Sequence, residues 1–287
     1  MNSIIVKIRE IYNDLNTTEQ KIASYILDNP DDILHASIAN IVERAGTSQA
    51  AVVRFCKTLG YNGFKDIKRS LTEEILAMAR GDENKEESYS DIKGSESTIA
   101  LIEKVTTNNI KSIEDTRRLM DFSAIEQAMD AIIKSGRVDF YGVGASGLVA
   151  LDAQQKFSRI GRNCNASVDP HVQITLAANL KPGDVAVMIS YSGMTRDIID
   201  TLTVAKESGA TIIAVCKYGK SRLASKADIV LHTCSPEITV RSGAMGSRIA
   251  QLTIIDMLFT GVAGHNVKGL QKALNRSYKY TAIKKLH

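Results

Sequence analysis

Residues 185–195 read VAVMISYSGMT, an unbroken apolar run that ends in hydroxyl-bearing residues and a glycine. A run that is apolar at every position has no solvated face, which is the pattern of an inner strand in a parallel sheet covered on both sides. Ser190, Ser192, Gly193 and Thr195 then supply turn and cap chemistry at a strand-to-helix junction. Residues 138–147, VDFYGVGASG, repeat the arrangement, with Gly142 and Gly144 leading into Ser146. Residues 164–168, 211–216 and 229–232 read as three further strands, so the strands are expected over 138–143, 164–168, 185–190, 211–216 and 229–232. Helical segments are expected to begin near Ser146, His171 and Thr195, with a long last helix over 246–261. This alternation predicts an α/β domain built on a five-stranded parallel doubly wound sheet.

Before this domain the apolar spacing changes. Ile4, Ile8, Ile11 and Leu15, then Ile22, Tyr25 and Ile26, recur every three or four residues, which predicts helices. Thr17 with Gln20 has the form of a capping box, and Asn29 with Pro30 ends that helix. Residues 1–79 are therefore expected to be all helical. Residues 80–98 are dominated by Gly, Ser, Asp, Glu and Lys, too polar to bury a core, and are expected to be a linker. Helical stretches over 99–120 and 125–134 then open the second domain, which spans 99–287.

Within the helical domain the most informative pattern runs from Ser37 to Gly60. Ile38, Ile41, Val42 and Ala45 make one apolar face, Gly46 permits a sharp turn, and Ser48 can cap a second helix through its hydroxyl. Val52, Phe55 or Cys56, and Leu59 bury that helix. Gln49, Ala50, Arg54 and Lys57 are left facing outward, beside Thr47 and Ser48 at the helix start. A helix with small and amide side chains at its N-terminal end can enter the major groove, where Gln reads adenine and Arg reads guanine or phosphate. Charge is placed accordingly: Arg44, Arg54, Lys57, Lys65, Lys68 and Arg69 stand against Asp66 as the one acid between 44 and 69.

In the second domain, glycine lets the backbone approach an anion closely, and the free N–H groups of a helix start favour negative charge. The turn at Gly144, Ala145 and Ser146 lacks the third glycine of a dinucleotide fingerprint and the Lys of a nucleoside-triphosphate loop. Paired with Ser190, Tyr191, Ser192, Gly193 and Thr195 it forms one candidate anion site, because both turns lie at the carboxyl edge of the sheet. Asp169 with His171, and Glu237 with Arg241, stand after two other strands and are weaker candidates for gripping sugar hydroxyls or phosphate.

The net charge of +4 is too small to announce a nucleic-acid partner by itself, so position carries that inference. Cys56, Cys164, Cys216 and Cys234 are scattered without a CxxC pair, so no metal, cofactor or disulfide framework is expected. No apolar stretch is long enough to cross a bilayer and the first ten residues do not resemble a secretory signal, so a cytoplasmic location without membrane contact is expected. From Met257 to His287 there is no acid, and Lys268, Lys272, Arg276, Lys279, Lys284 and Lys285 make the tail basic. That tail can serve as a solvated helical extension, an oligomer contact or an auxiliary phosphate-seeking surface.

Ser48, Val52, Arg54, Phe55, Leu59 and Gly60, followed by Gly63 and Phe64, resemble the helix-turn-helix of RpiR/MurR regulators. That family joins this domain to a sugar isomerase (SIS) domain, and the resemblance covers nearly the whole chain. It implies a regulator of carbohydrate metabolism that binds operator DNA and senses a phosphorylated sugar or amino sugar without converting it. It further implies Ser146, Ser190, Ser192 and Thr195 as contacts to the phosphate, with Asp169, His171, Gln173, Glu237 and Arg241 near the sugar. Dimers or tetramers on palindromic operators are implied as well. The alternative is an aldose-ketose phosphate isomerase with an accessory helical domain, in which Glu237 or His171 would supply the base.

Overall fold

A computed structural model of the chain describes residues 3–33, 36–78, 97–235 and 244–283. They fall into two compact units, the first holding the residues up to 78 with Arg117–Leu119, the second the rest. Most of the expected linker, and with it Glu237 and Arg241, lies outside the described residues.

The first unit is helical: α1 (Ile4–Ile11), a single 3-10 turn, α2 (Thr17–Asp28), α3 (Pro30–Ile33), α4 (Ile38–Arg44), α5 (Gln49–Thr58) and α6 (Phe64–Met78). The expected apolar stripes are its core, with Ile4, Ile8, Ile22, Ile26, Ile41, Val52 and Phe55 all essentially inaccessible. One helix start differs from expectation. Asn16, not Thr17, caps α2, accepting from the Thr18 and Glu19 amides while its own amide donates to Glu19. Gln20 instead donates to the Tyr12 carbonyl, tying α2 back to the turn before it. Asn and Thr both cap well, and two adjacent candidates differ only in which one the preceding turn leaves extended.

The second unit opens with α7 (Thr98–Leu119) and α8 (Phe122–Lys134) and continues through β1 (Val138–Gly142), α9 (Ala145–Arg159), β2 (Cys164–Ser167), α10 (Pro170–Ala178), β3 (Val185–Ile189), α11 (Arg196–Glu207), β4 (Thr211–Lys217), α12 (Arg222–Lys226), β5 (Ile229–Thr233), α13 (Met245–His265) and α14 (Val267–Ala282). All strands are parallel, in the order β2-β1-β3-β4-β5. Every expected strand is present, with ends that differ by one residue. The last helix runs on past Gly261 to His265, and the basic tail forms a further helix. Side chains alternate across β1: Val138 and Phe140 pack on one face with residues of α8, α9 and α13, and Tyr141 on the other with residues of α10, α11 and α12. No described helix is long and apolar enough to cross a membrane.

One buried charge sits in this sheet. Asp139 is fully inaccessible and forms a two-pronged ion pair with Arg137, whose guanidinium also reaches the Leu176 and Asn179 carbonyls at the end of α10. The same carboxylate accepts from the Asn165 backbone and side chain and from the Tyr141 hydroxyl, and burial beside it pushes the Tyr141 phenol above its ordinary pKa. This network fastens β1, β2 and α10 together beneath the candidate site. Breaking a buried pair from one side strands the other charge, so Asp139→Ala should destabilise the domain by about 3–5 kcal/mol. Urea unfolding followed by circular dichroism checks it; a loss under about 1 kcal/mol would show that the network is dispensable.

Candidate functional site

The strand order reverses between β1 and β3, since the chain leaves β1 for β2 on one side and meets β3 on the other. Gly142 and Ile189 are directly paired across that seam, so the turns 143–146 and 190–195 leave the sheet side by side. α9 departs over one face and α11 over the opposite face, and their N-termini flank the crevice between. The first N–H groups of each helix have no carbonyl a turn behind them to bond, which leaves both helix starts as donors to an anion.

The backbone of these turns is set by glycine. A Cβ on Gly142 would lie 2.3 Å from the Ser146 carbonyl oxygen, so no larger residue admits this entry into α9. Gly193 has φ +62°, and a Cβ there would lie 2.3 Å from the Ser221 hydroxyl. Ser190 is buried and its hydroxyl lies 3.1 Å from that of Thr195, the residue that caps α11 without a side-chain bond to the helix. Ser192 is exposed and its hydroxyl accepts from the Met194 amide at 3.2 Å. Tyr191 turns the other way, its phenol donating to the buried Ser235 carbonyl at 3.3 Å. Thus Gly144, Ala145, Ser146, Ser190, Ser192, Gly193 and Thr195 share one rim.

Two buried amides support the rim, and only one of them was named from sequence. Gln173 is fully inaccessible and donates at 2.7 Å to both the Gly142 and Ser167 carbonyls, while its own oxygen has no hydrogen-bond partner. Gln251, on α13 and 1% exposed, has its oxygen 3.3 Å and its nitrogen 3.2 Å from the Ser146 hydroxyl. An amide that can either accept from or donate to one hydroxyl can release that proton toward an incoming anion and still bond to the oxygen. Asp169 caps α10 through the His171 and Val172 amides, and the His171 side chain is exposed. Cys216 is buried, and burial pushes its thiol up to about 11. Among the described residues no three His, Cys, Asp or Glu side chains come together as a metal site.

In the first unit α4 and α5 form the expected pair. Ser37 and Asn40 make a reciprocal capping box on α4, Gly46 takes φ +59° in the turn, and Ser48 caps α5 by accepting from the Ala51 amide. α5 ends in a Schellman closure, with Tyr61 donating to the Cys56 carbonyl and Gly60 to that of Lys57. Ala51, Val52, Phe55, Cys56 and Leu59 are buried, whereas Ser48, Gln49, Ala50, Arg54 and Lys57 are exposed. Thr47 contributes no exposed donor, because its hydroxyl oxygen is buried without a partner. The basic stripe is also narrower than the count of charges suggests. Arg44, though exposed, is paired with Asp32 and Tyr25, and Lys68 donates to the Ala36 carbonyl, so Arg54, Lys57, Lys65 and Arg69 are the exposed members outside these bonds. A polar cleft of about 470 Å³ lined by Tyr12, Gln20, Tyr25 and Arg44 lies in this unit.

Comparison with known proteins gives matches over both units. Residues 2–77 match the helix-turn-helix domain of the rpiR family, and residues 131–261 match the SIS domain. An HTH-type transcriptional regulator of Caldanaerobacter subterraneus subsp. tengcongensis is 39% identical over 287 residues, the full length of both chains. The HTH-type transcriptional regulator HexR of Pseudomonas aeruginosa is 34% identical over 96% of this chain and 94% of its own. Among solved structures, the Vibrio vulnificus NanR protein complexed with ManNAc-6P aligns with a TM-score of 0.61 at 21% identity, over 99% of this chain and 100% of that one.

Gln251→Glu preserves shape but sets a carboxyl against the Ser146 hydroxyl. Binding of a phosphate monoester, read by calorimetry, should fall at least about tenfold relative to wild type at pH 8. The deficit should shrink as pH falls and the buried carboxyl takes up a proton, since burial raises its pKa. A variant that matches wild type at every pH would place the anion away from Ser146.

Proposed function

Because the chain belongs to the rpiR family of helix-turn-helix transcriptional regulators carrying a SIS domain, we propose that it controls carbohydrate genes by coupling operator binding through α5 to a phosphosugar held at the β1–β3 rim. Residues 1–79 form the DNA-reading module, 80–98 the linker and 99–287 the sensing module. The adjacency of two hydroxyl-bearing turns at the reversal of strand order supports the effector assignment most directly. A phosphate monoester brings three terminal oxygens, each able to accept more than one hydrogen bond, and the hydroxyls of Ser146, Ser190, Ser192 and Thr195, with the first amides of α9 and α11, are donors enough to serve them. The NanR protein of the same fold, solved with ManNAc-6P, supports a phosphorylated sugar or amino sugar as ligand class. Gly144, Ala145, Tyr191 and Gly193 shape the turns, and the family resemblance assigns His171, Glu237 and Arg241 to the sugar.

In this reading the rim binds its ligand without converting it. Aldose-ketose isomerisation needs a base held at the carbon that loses its proton, and the relatives that match over nearly the whole chain carry the name of transcriptional regulators, which supports binding without conversion. The protein therefore acts as a cytoplasmic sensor, with operator DNA and a phosphosugar as partners and a homo-oligomer as its working form.

Two experiments test these assignments. In a panel of phosphosugars screened by calorimetry, at least one should bind with no turnover. Ser192→Ala should weaken that ligand about 10- to 100-fold, as loss of a hydrogen bond to a charged group does. Steady conversion of any panel member to its isomer would overturn the sensor assignment. For the DNA module, Arg54→Ala should weaken binding to the gene's own upstream region and lower the salt dependence by about one counterion. Gln49→Ala should cost about 1–3 kcal/mol on that DNA and little on unrelated sequence. Unchanged binding by both variants would move the contact surface off α5.

A further inference from the structure

α7 carries a row of exposed isoleucines: Ile99 is 71% exposed, Ile102 62%, Ile110 52% and Ile113 39%. With exposed Thr106 they fall within about 80° of arc on the helix. Toward its C-terminal end the packed side of α7 lies elsewhere, whereas earlier on that side Leu101 and Val105 are exposed. Ser112, Asp115 and Thr116 are buried. The Thr116 hydroxyl exchanges hydrogen bonds with the Cys234 backbone, and Ser112 abuts Gly246 at the start of α13. The two sides are about 130° apart around the helix.

A helix should not present four isoleucines to water along a line about 21 Å long without an occupant for that face. The preceding stretch, residues 80–96, is a poor cover, because Tyr89 and Ile92 are its only large apolar side chains. What distinguishes the row is its symmetry. The spacings from 99 to 102, 106, 110 and 113 run three, four, four, three, so the pattern reads the same in both directions about Thr106. A two-fold contact demands self-complementarity: residue i meets residue j while j meets i. An antiparallel copy of this helix crossing at Thr106 sets Ile102 against Ile110 and Ile99 toward Ile113, with the smallest side chain of the row at the crossing. The 102–106–110 ridge has the four-residue spacing by which helices most often interdigitate.

We propose that the isoleucine face of α7 is a two-fold contact with the same face of a second copy of this chain, antiparallel and centred on Thr106. It deepens the regulator assignment, which calls for paired reading helices on a palindromic operator, but it is tested on the protein alone.

Sedimentation of the full-length protein should give an oligomer, and Ile110→Glu should halve its mass with the circular dichroism spectrum unchanged. Register is read by disulfide trapping, against the wild type with its native cysteines as baseline. Thr106→Cys should form a covalent dimer under mild oxidation, since facing Cα atoms on crossed helices come within disulfide reach. Ile102→Cys alone should give none, yet should cross-link when mixed and re-equilibrated with Ile110→Cys. A monomeric wild type, an Ile110→Glu protein of undiminished mass, or cross-linking by Ile102→Cys alone would each overturn the proposal. Loss of DNA or phosphosugar binding is not read in these assays, so the regulator assignment stands or falls separately.

Discussion

The pairing of Gly142 with Ile189 across the β1–β3 seam is the constraint on which the sensing half of the molecule depends. Two parallel strands in this register must release their chains at the same edge, and the reversal of strand order sends the following helices to opposite faces. The result is a crevice edged by two helix N-termini, with no side chain required to create its positive potential. Hydroxyls then add directionality. The Asp139 network holds β1 against β2 and α10, and Gln173 and Gln251 hold the turns above it.

Among the described residues the rim offers neutral donors to the phosphate, and this has a consequence for recognition. Neutral hydroxyls and amides bind a dianion less tightly than arginine forks would, but they do not bind every anion alike, because each donor must meet an acceptor at hydrogen-bond distance. A sensor gains from this balance, since its affinity must lie where metabolite levels change. The same economy holds in the DNA-reading helix, where two exposed cations, Arg54 and Lys57, and one glutamine flank a well-buried face. Phosphate contacts position such a helix and the amide discriminates.

Much of this was legible in the chain because burial on both faces leaves continuous apolar runs, of which 185–189 is the clearest, while 138–142 is interrupted only by the buried Asp139. The turn residues at 144–146 and 190–195 were legible too, since glycine and hydroxyls after a strand have few other uses. Tertiary pairing was not. Gln251 lies 105 residues from Ser146 and has no local signal that marks it. Arg44 and Lys68 look like members of a basic stripe until Asp32 and the Ala36 carbonyl are found beside them. The α7 isoleucines are visible in the sequence, but helical spacing alone cannot tell an inward stripe from an outward one.

A ligand can alter operator occupancy only through unequal affinity for the free and DNA-bound protein, and the same factor must appear whichever partner is added first. The most direct measurement is therefore the affinity of the phosphosugar selected from the panel, determined by calorimetry with and without saturating operator DNA. Affinities differing by about 5- to 150-fold, mirrored by an equal change in operator affinity when the sugar is saturating, are the expected result. Equal affinity in the two titrations would contradict the sensor account, however tightly each partner binds alone.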